Sequence, residues 1–122
     1  MGTWGSGIFQ NDVALDYLAE IQEALVKRME QIIANPSLAE PDEPTSAEVM
    51  VAVEIAAMLC EQFNAVPPEP DFIELCRDTY LQVWDGYIDK LAPNPDYKTE
   101  RRETIGASFE KLLRRSQQWH SS

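Results

Sequence analysis

The side chains able to do chemistry in this 122-residue sequence are few: one histidine, two cysteines and a scatter of carboxylates among aromatics. His120 stands near the C-terminal end, where chains fray, so no catalytic role is expected of it. Without a second histidine, a zinc site with the usual nitrogen and sulfur ligands cannot be assembled. Nor can the Ser-His or Cys-His pairs that activate a nucleophile. The di-iron arrangement of helical bundles needs Glu-x-x-His, which does not occur. Glu40, Asp42 and Glu43 lack the glycine and glutamate spacing of a calcium loop and read as a solvated linker. No catalytic residue, metal ligand or cofactor-binding residue is therefore expected, and no cofactor.

What remains is a candidate pocket of carboxylates and aromatics. Glu54 interrupts the apolar stretch "AEVMVAVEIAAMLCEQF" and has two readings. It is a buried base with a raised pKa, or it lies on an exposed sliver or beside an arginine. Trp84, Asp85 and Tyr87 stand together in "VWDGY" and are the residues that would complete such a pocket. Cys60 and Cys76 lack CxxC spacing and sit in apolar surroundings. If the helices carrying them form an antiparallel hairpin about "VPPEP", the two fall nearly level. A disulfide then comes within reach, although reduced, buried thiols are the better expectation for a reducing compartment.

These residues must be positioned by helices. Leu18, Ile21, Leu25, Met29 and Ile32 recur at three- and four-residue steps, one face of an amphipathic helix over about 12–34, capped by Asn11 or Asp12. Asn35-Pro36 ends it. After the acidic, proline-marked "NPSLAEPDEP", Thr45 and Glu48 form a capping box for a second helix over about 46–64. That stretch is apolar nearly all round, which predicts the middle of a bundle. A third helix, with Asp71 and Glu74 as a capping arrangement, is expected over about 71–91. Gly86 in its interior implies either a close backbone approach or a break. A fourth helix is expected over about 97–118. Nothing alternates with period two for long enough to make a strand. The fold class is all-α: a single four-helix bundle-like domain, 1–122, with an N-terminal apolar loop over 1–11 packed on its core.

Composition narrows the partners. Acidic residues outnumber basic ones 21 to 10, for a formal net charge of -11. Binding to phosphate backbones depends on Lys and Arg displacing counterions, so neither nucleic acid nor an anionic membrane is an expected partner. A basic protein is the better candidate. The apolar runs fall short of a membrane span and no secretion signal is seen, so a cytoplasmic location is expected. Met1-Gly2 with Ser6 satisfies the N-myristoylation pattern, but no polybasic segment follows to supply a second anchor. Monomer and dimer both stay open.

The opening "MGTWGSGIFQND" places three glycines among Trp4, Ile8 and Phe9. No strand precedes it, no lysine follows, and Asp12 stands where an anion would dock, so a phosphate-cradling loop is a poor fit. Trp4, Ile8 and Phe9 read instead as side chains folded back on the bundle, with the glycines permitting the turns. The same stretch resembles the opening of the small, mostly bacterial proteins of domain-of-unknown-function family 4259. Gly2, Trp4, Gly5, Gly7, Phe9, Asn11 and Asp12 match that family's pattern, and Ala14 and Leu18 fit the helix that follows. "SAEVMVAVEIAAML" and "ELCRDTYLQVWD" are similar more loosely, whereas "APNPDYKTERRE" departs from the family pattern. The resemblance implies a compact bacterial protein and hands over no catalytic residue.

Two functional readings follow. One is a non-enzymatic interaction or regulatory module, antidote-like, that binds a basic partner. The other is a small enzyme or ligand-binding protein built on Glu54, Trp84, Asp85 and Tyr87. The absence of the usual catalytic sets favours the first.

Overall fold

The structure, a computed structural model, describes residues 2, 3 and 5–121. Four helices form the expected all-α bundle: α1 (Asp12–Ala34), α2 (Pro44–Phe63), α3 (Pro70–Tyr87) and α4 (Pro95–His120). Single turns of 3-10 helix follow α1 (Pro36–Ala39) and α3 (Ile88–Leu91). Among the described residues there is no strand, only an isolated bridge between Thr3 and Asn11. No helix among them is long and apolar enough to cross a membrane.

The helix starts show which local signals act. Asn11 caps α1, its Oδ1 accepting from the Ala14 N–H at 2.8 Å. Asn94 caps α4 by accepting from Asp96 N–H at 2.8 Å, and that helix begins two residues earlier than the apolar pattern suggests. The expected capping box of Thr45 and Glu48 does not form, and neither does a cap from Asp71 and Glu74. Proline opens both helices instead. Pro44 and Pro70 lack the N–H that a cap would satisfy, and their fixed φ suits the first turn. Glu48, released from capping, reaches Arg28 on α1 at 3.5 Å. Gly86 has nothing within 4 Å of an added Cβ, so no backbone approaches it closely. The α-helical turns stop one residue later, at Tyr87, which is the break that glycine permits.

α1 packs on α2 and α3, and α4 packs on the same two. α2 and α3 therefore lie across a diagonal of the bundle and do not form the facing hairpin that would bring Cys60 level with Cys76. Both thiols are free and buried. Fully enclosed side chains from all four helices make the core, among them Met29, Val53, Tyr80, Phe109 and Leu112. A four-helix arrangement leaves every helix one outward face, α2 included. The apolar stretch expected to be enclosed thus exposes Val51 and Met58, at 57% and 47%.

The N-terminal loop closes on itself. Asp12 N–H donates to Gly2 O at 2.7 Å, and Gly7 N–H donates to Gln10 Oε1 at 2.7 Å. Gly2 has φ +53°, and a Cβ there would overlap the Asp12 carboxylate, so glycine is required at this position. Phe9 folds back and stacks on Phe63 at the end of α2, ring centroids 4.5 Å apart. Ile8 does not: it is 81% exposed, because it sits at the tip of the turn that Gln10 closes. Trp4 lies outside the described residues. Phe9→Ala should cost about 1–2 kcal/mol, the stacking and part of the burial of one ring. A thermal scan should show a drop of about 5 °C; an unchanged melting temperature would mean that the loop does not brace α2.

Candidate interaction face

The four side chains of the sequence-predicted pocket have four different surroundings. Glu54 is exposed on α2, where its Oε2 pairs with Lys111 Nζ of α4 at 2.5 Å. Asp85 holds Arg102 of α4 in a two-pronged pair, both N–H···O distances 2.9 Å. The Tyr87 hydroxyl donates to Asp42 at 3.0 Å, and that bond to a carboxylate, with the Asp42 charge, pushes its phenol above its ordinary pKa. Trp84 is buried in the core. The two grooves that Glu54 lines, of about 360 and 330 Å³, include none of the other three. The pocket is not assembled, because cations on α4 draw Glu54 and Asp85 aside and Tyr87 turns to the linker. Glu54 takes the exposed, paired alternative, with a lysine where an arginine was expected.

The buried polar groups serve the frame. Val66-Pro67-Pro68 runs extended between α2 and α3, so its carbonyls have no helical partners. Each receives a side chain. Gln22 Nε2 lies 3.5 Å from Val66 O, the His120 ring lies 3.1 Å from Pro67 O, and the Ser116 hydroxyl donates to Pro68 O at 2.5 Å. His120, expected to fray, is instead held by this segment, with Glu69 3.6 Å away. Ser116 and His120 are one turn apart on α4. That spacing, opposite a run of proline carbonyls, was the signal for this docking.

Gln22 was not foreseen at all. It is 4% exposed on the core face of α1, and its amide also reaches Cys60 Sγ at 3.2 Å. Burial pushes the Cys60 thiol up, against the opposing pull of Gln22 and Arg115. Burial alone pushes Cys76 to about 12. Neither thiol is a ready nucleophile, since the thiolate is the reactive form. Among the described residues no cluster of three or more His, Cys, Asp or Glu is placed to hold a metal ion.

The model of one protein family, described as domain of unknown function DUF4259, matches residues 2–120. The chain belongs to the DUF4259 family. The match takes in α4 as well as the opening loop, so the departing "APNPDYKTERRE" lies within the family's span. No curated protein and no solved structure matches this DUF4259 chain.

The charged side chains of the DUF4259 bundle are partly paired with one another and partly left open on its surface. Its cations are largely taken up internally. Arg28, Lys98, Arg102, Lys111 and Arg114 pair with Glu48, Asp89, Asp85, Glu54 and Glu110. Arg115 donates to Cys60 O and Asn64. On α1, Asp16, Glu20 and Glu23 are exposed at steps of four and three, which puts them on one outward stripe; Asp96, Glu100 and Glu103 of α4 repeat that spacing, but with Lys98, Arg101 and Arg102 between them. None of the three on α1 forms an ion pair among the described residues, and Lys27 closes the stripe one turn further on.

Proposed function

We propose that this protein is a non-enzymatic interaction module that captures a basic protein partner through the acidic face of α1, in the manner of an antidote-like regulator. The observation that carries the reading is the stripe of Asp16, Glu20 and Glu23, left without internal partners while most cations have theirs. A net charge of -11 steers positively charged proteins toward the bundle and opposes nucleic acid and anionic membranes. The separated surroundings of Glu54, Trp84, Asp85 and Tyr87 weigh against the enzyme or ligand-binding reading. Two buried free thiols suit a reducing compartment, and a bacterial cytoplasm is the proposed location.

Cross-linked capture from the source cell, followed by kinetics with each recovered protein, tests the proposal. The expected partner is basic. Its association should slow about tenfold between low and physiological salt, and again for the Asp16→Lys/Glu20→Lys variant. A partner whose on-rate ignores both salt and charge reversal would sink it.

A further inference from the structure

α1 and α2 run antiparallel, and the Arg28–Glu48 pair marks their register on the outer side. Two helical turns back from Arg28 is Ile21, and two turns on from Glu48 is Ile55. Seven residues restore the same side of each helix, so Ile21 and Ile55 lie level on that outer seam. One turn further along, Tyr17 comes level with Met58, and Val51 extends the row on α2 in the other direction. Ile55 is half-buried. Tyr17, Ile21, Val51 and Met58 are exposed at 63%, 38%, 57% and 47%. The register thus lines up an apolar strip about two helical turns long, more than the singly scattered apolar side chains of an ordinary surface.

The α1 rim of the strip is acidic and the α2 rim is mixed. Asp16, Glu20 and Glu23 follow it on α1. On α2, on the side that faces α4, Glu54 is paired with Lys111, and Glu61 lines the same groove without an ion pair among the described residues. This pattern selects among occupants. A second copy of the chain, laid seam on seam, would bring two charges of -11 together. A helix with one apolar stripe and lysine or arginine on its flanks would satisfy the strip and the acidic α1 rim at once, and Glu61 on the other side, in the helix-in-groove mode.

We infer that the α1–α2 seam is the docking site for a basic amphipathic helix of the partner. The inference rests on the acidic-face reading above and adds to it the apolar anchors and the shape of the bound segment.

The test uses two synthetic peptides of about 18 residues with identical composition, rich in Leu, Lys and Arg. One carries leucines at three- and four-residue steps with basic flanks; the other has its order scrambled to destroy the stripe. Binding to the full chain is measured by calorimetry at physiological salt. The amphipathic peptide should bind at least about tenfold tighter than the scrambled one. Tyr17→Ser and Met58→Ser should each weaken it by about tenfold, with melting temperatures nearly unchanged because both side chains face solvent.

Equal binding of the two peptides, or indifference to Tyr17→Ser and Met58→Ser, overturns the seam. If Asp16→Lys/Glu20→Lys still weakens both peptides in that case, the acidic-face reading survives without it. If charge reversal changes nothing either, both fall. Concentration-dependent dimerisation that Met58→Ser abolishes would give the seam to a second copy, and so overturns the assignment too.

Discussion

Phe109→Ala should lower the melting temperature by on the order of 15 °C. Phe109 is fully buried on α4 and lies against Tyr80 of α3, ring centroids 5.8 Å apart. The Tyr80 hydroxyl in turn lies 2.8 Å from Ser46 Oγ of α2, and Ser46 donates to Ala39 O in the turn before that helix. One ring therefore backs a chain of contacts that joins three helices and the linker. Truncating a core phenylalanine costs about 3–5 kcal/mol, the transfer of the ring plus the cavity it leaves. Typical stability for a chain of this length is roughly 6–18 kcal/mol, so the variant retains a fold only if the starting point is well above the lower bound. At several degrees per kcal/mol for a domain of this size, the shift is on the order of 15 °C. Phe109→Leu keeps most of the volume and should lose a third of that or less. A drop below 5 °C for the alanine variant would show that the ring is not the hub of the core.

The contrast between Phe109 and Tyr80 shows what was legible in the sequence. Phe109 falls on the Ile105, Phe109, Leu112 and Leu113 pattern, and all four are buried where three- and four-residue spacing places them. Tyr80 was missed because nothing on its own helix signals a buried partner for its hydroxyl. It is buried because Ser46 supplies the partner, and Ser46 comes from 34 residues away. Gln22 escaped for the same reason, its partners lying on α2 and in the segment that follows. Helix starts were misplaced where proline and a plausible capping residue competed, since both signal the same boundary within two residues. The adjacency of helices was the deeper loss. Short connections suggest neighbours, yet α2 and α3 sit diagonally, because the extended Val66–Pro68 segment carries the chain across while α1 and α4 hold it.

That diagonal bears on the candidate site. Glu54 belongs to α2 and Asp85 to α3, so no pocket between neighbouring helices could gather both, whatever their chemistry. The pairing of each with α4 follows from the cations of "ERRETIGASFEKLLRR", which recur along that helix and face α2 and α3 in turn. Carboxylates without an ion pair among the described residues remain on every helix, and on α1 they include Asp16, Glu20 and Glu23.

Raising the pH should destabilise the protein steeply above about 9, and Cys76 should account for much of the loss. Its side chain has no exposure, and its nearest polar contact is a weak one to Met29 O at 3.7 Å. Nothing there stabilises a thiolate, so burial raises the pKa from the ordinary 9.0 to about 12. The sign follows from which state releases the proton. Below about pH 9 the thiol is protonated in both states, and its contribution is fully present. Between 9 and 12 the unfolded chain ionises while the folded one does not, so unfolding is favoured as pH rises. Three pKa units correspond to about 4 kcal/mol by pH 12, and half of that, about 2 kcal/mol, is lost by pH 10.5. Cys60 and the Tyr80 phenol, both raised by burial, steepen the decline. Urea unfolding at pH 7.5 and 10.5 measures the slope, and Cys76→Ala isolates the thiol. The variant begins less stable through lost packing but should lose about 2 kcal/mol less between the two pH values. A thiol reagent gives the complementary reading: at pH 8 the folded protein should react slowly, and the protein in urea at once, at two sites per chain. Parallel stability curves for Cys76→Ala and the parent, or immediate labelling without denaturant, would mean that Cys76 is reached by water and that α1 and α3 do not close over it.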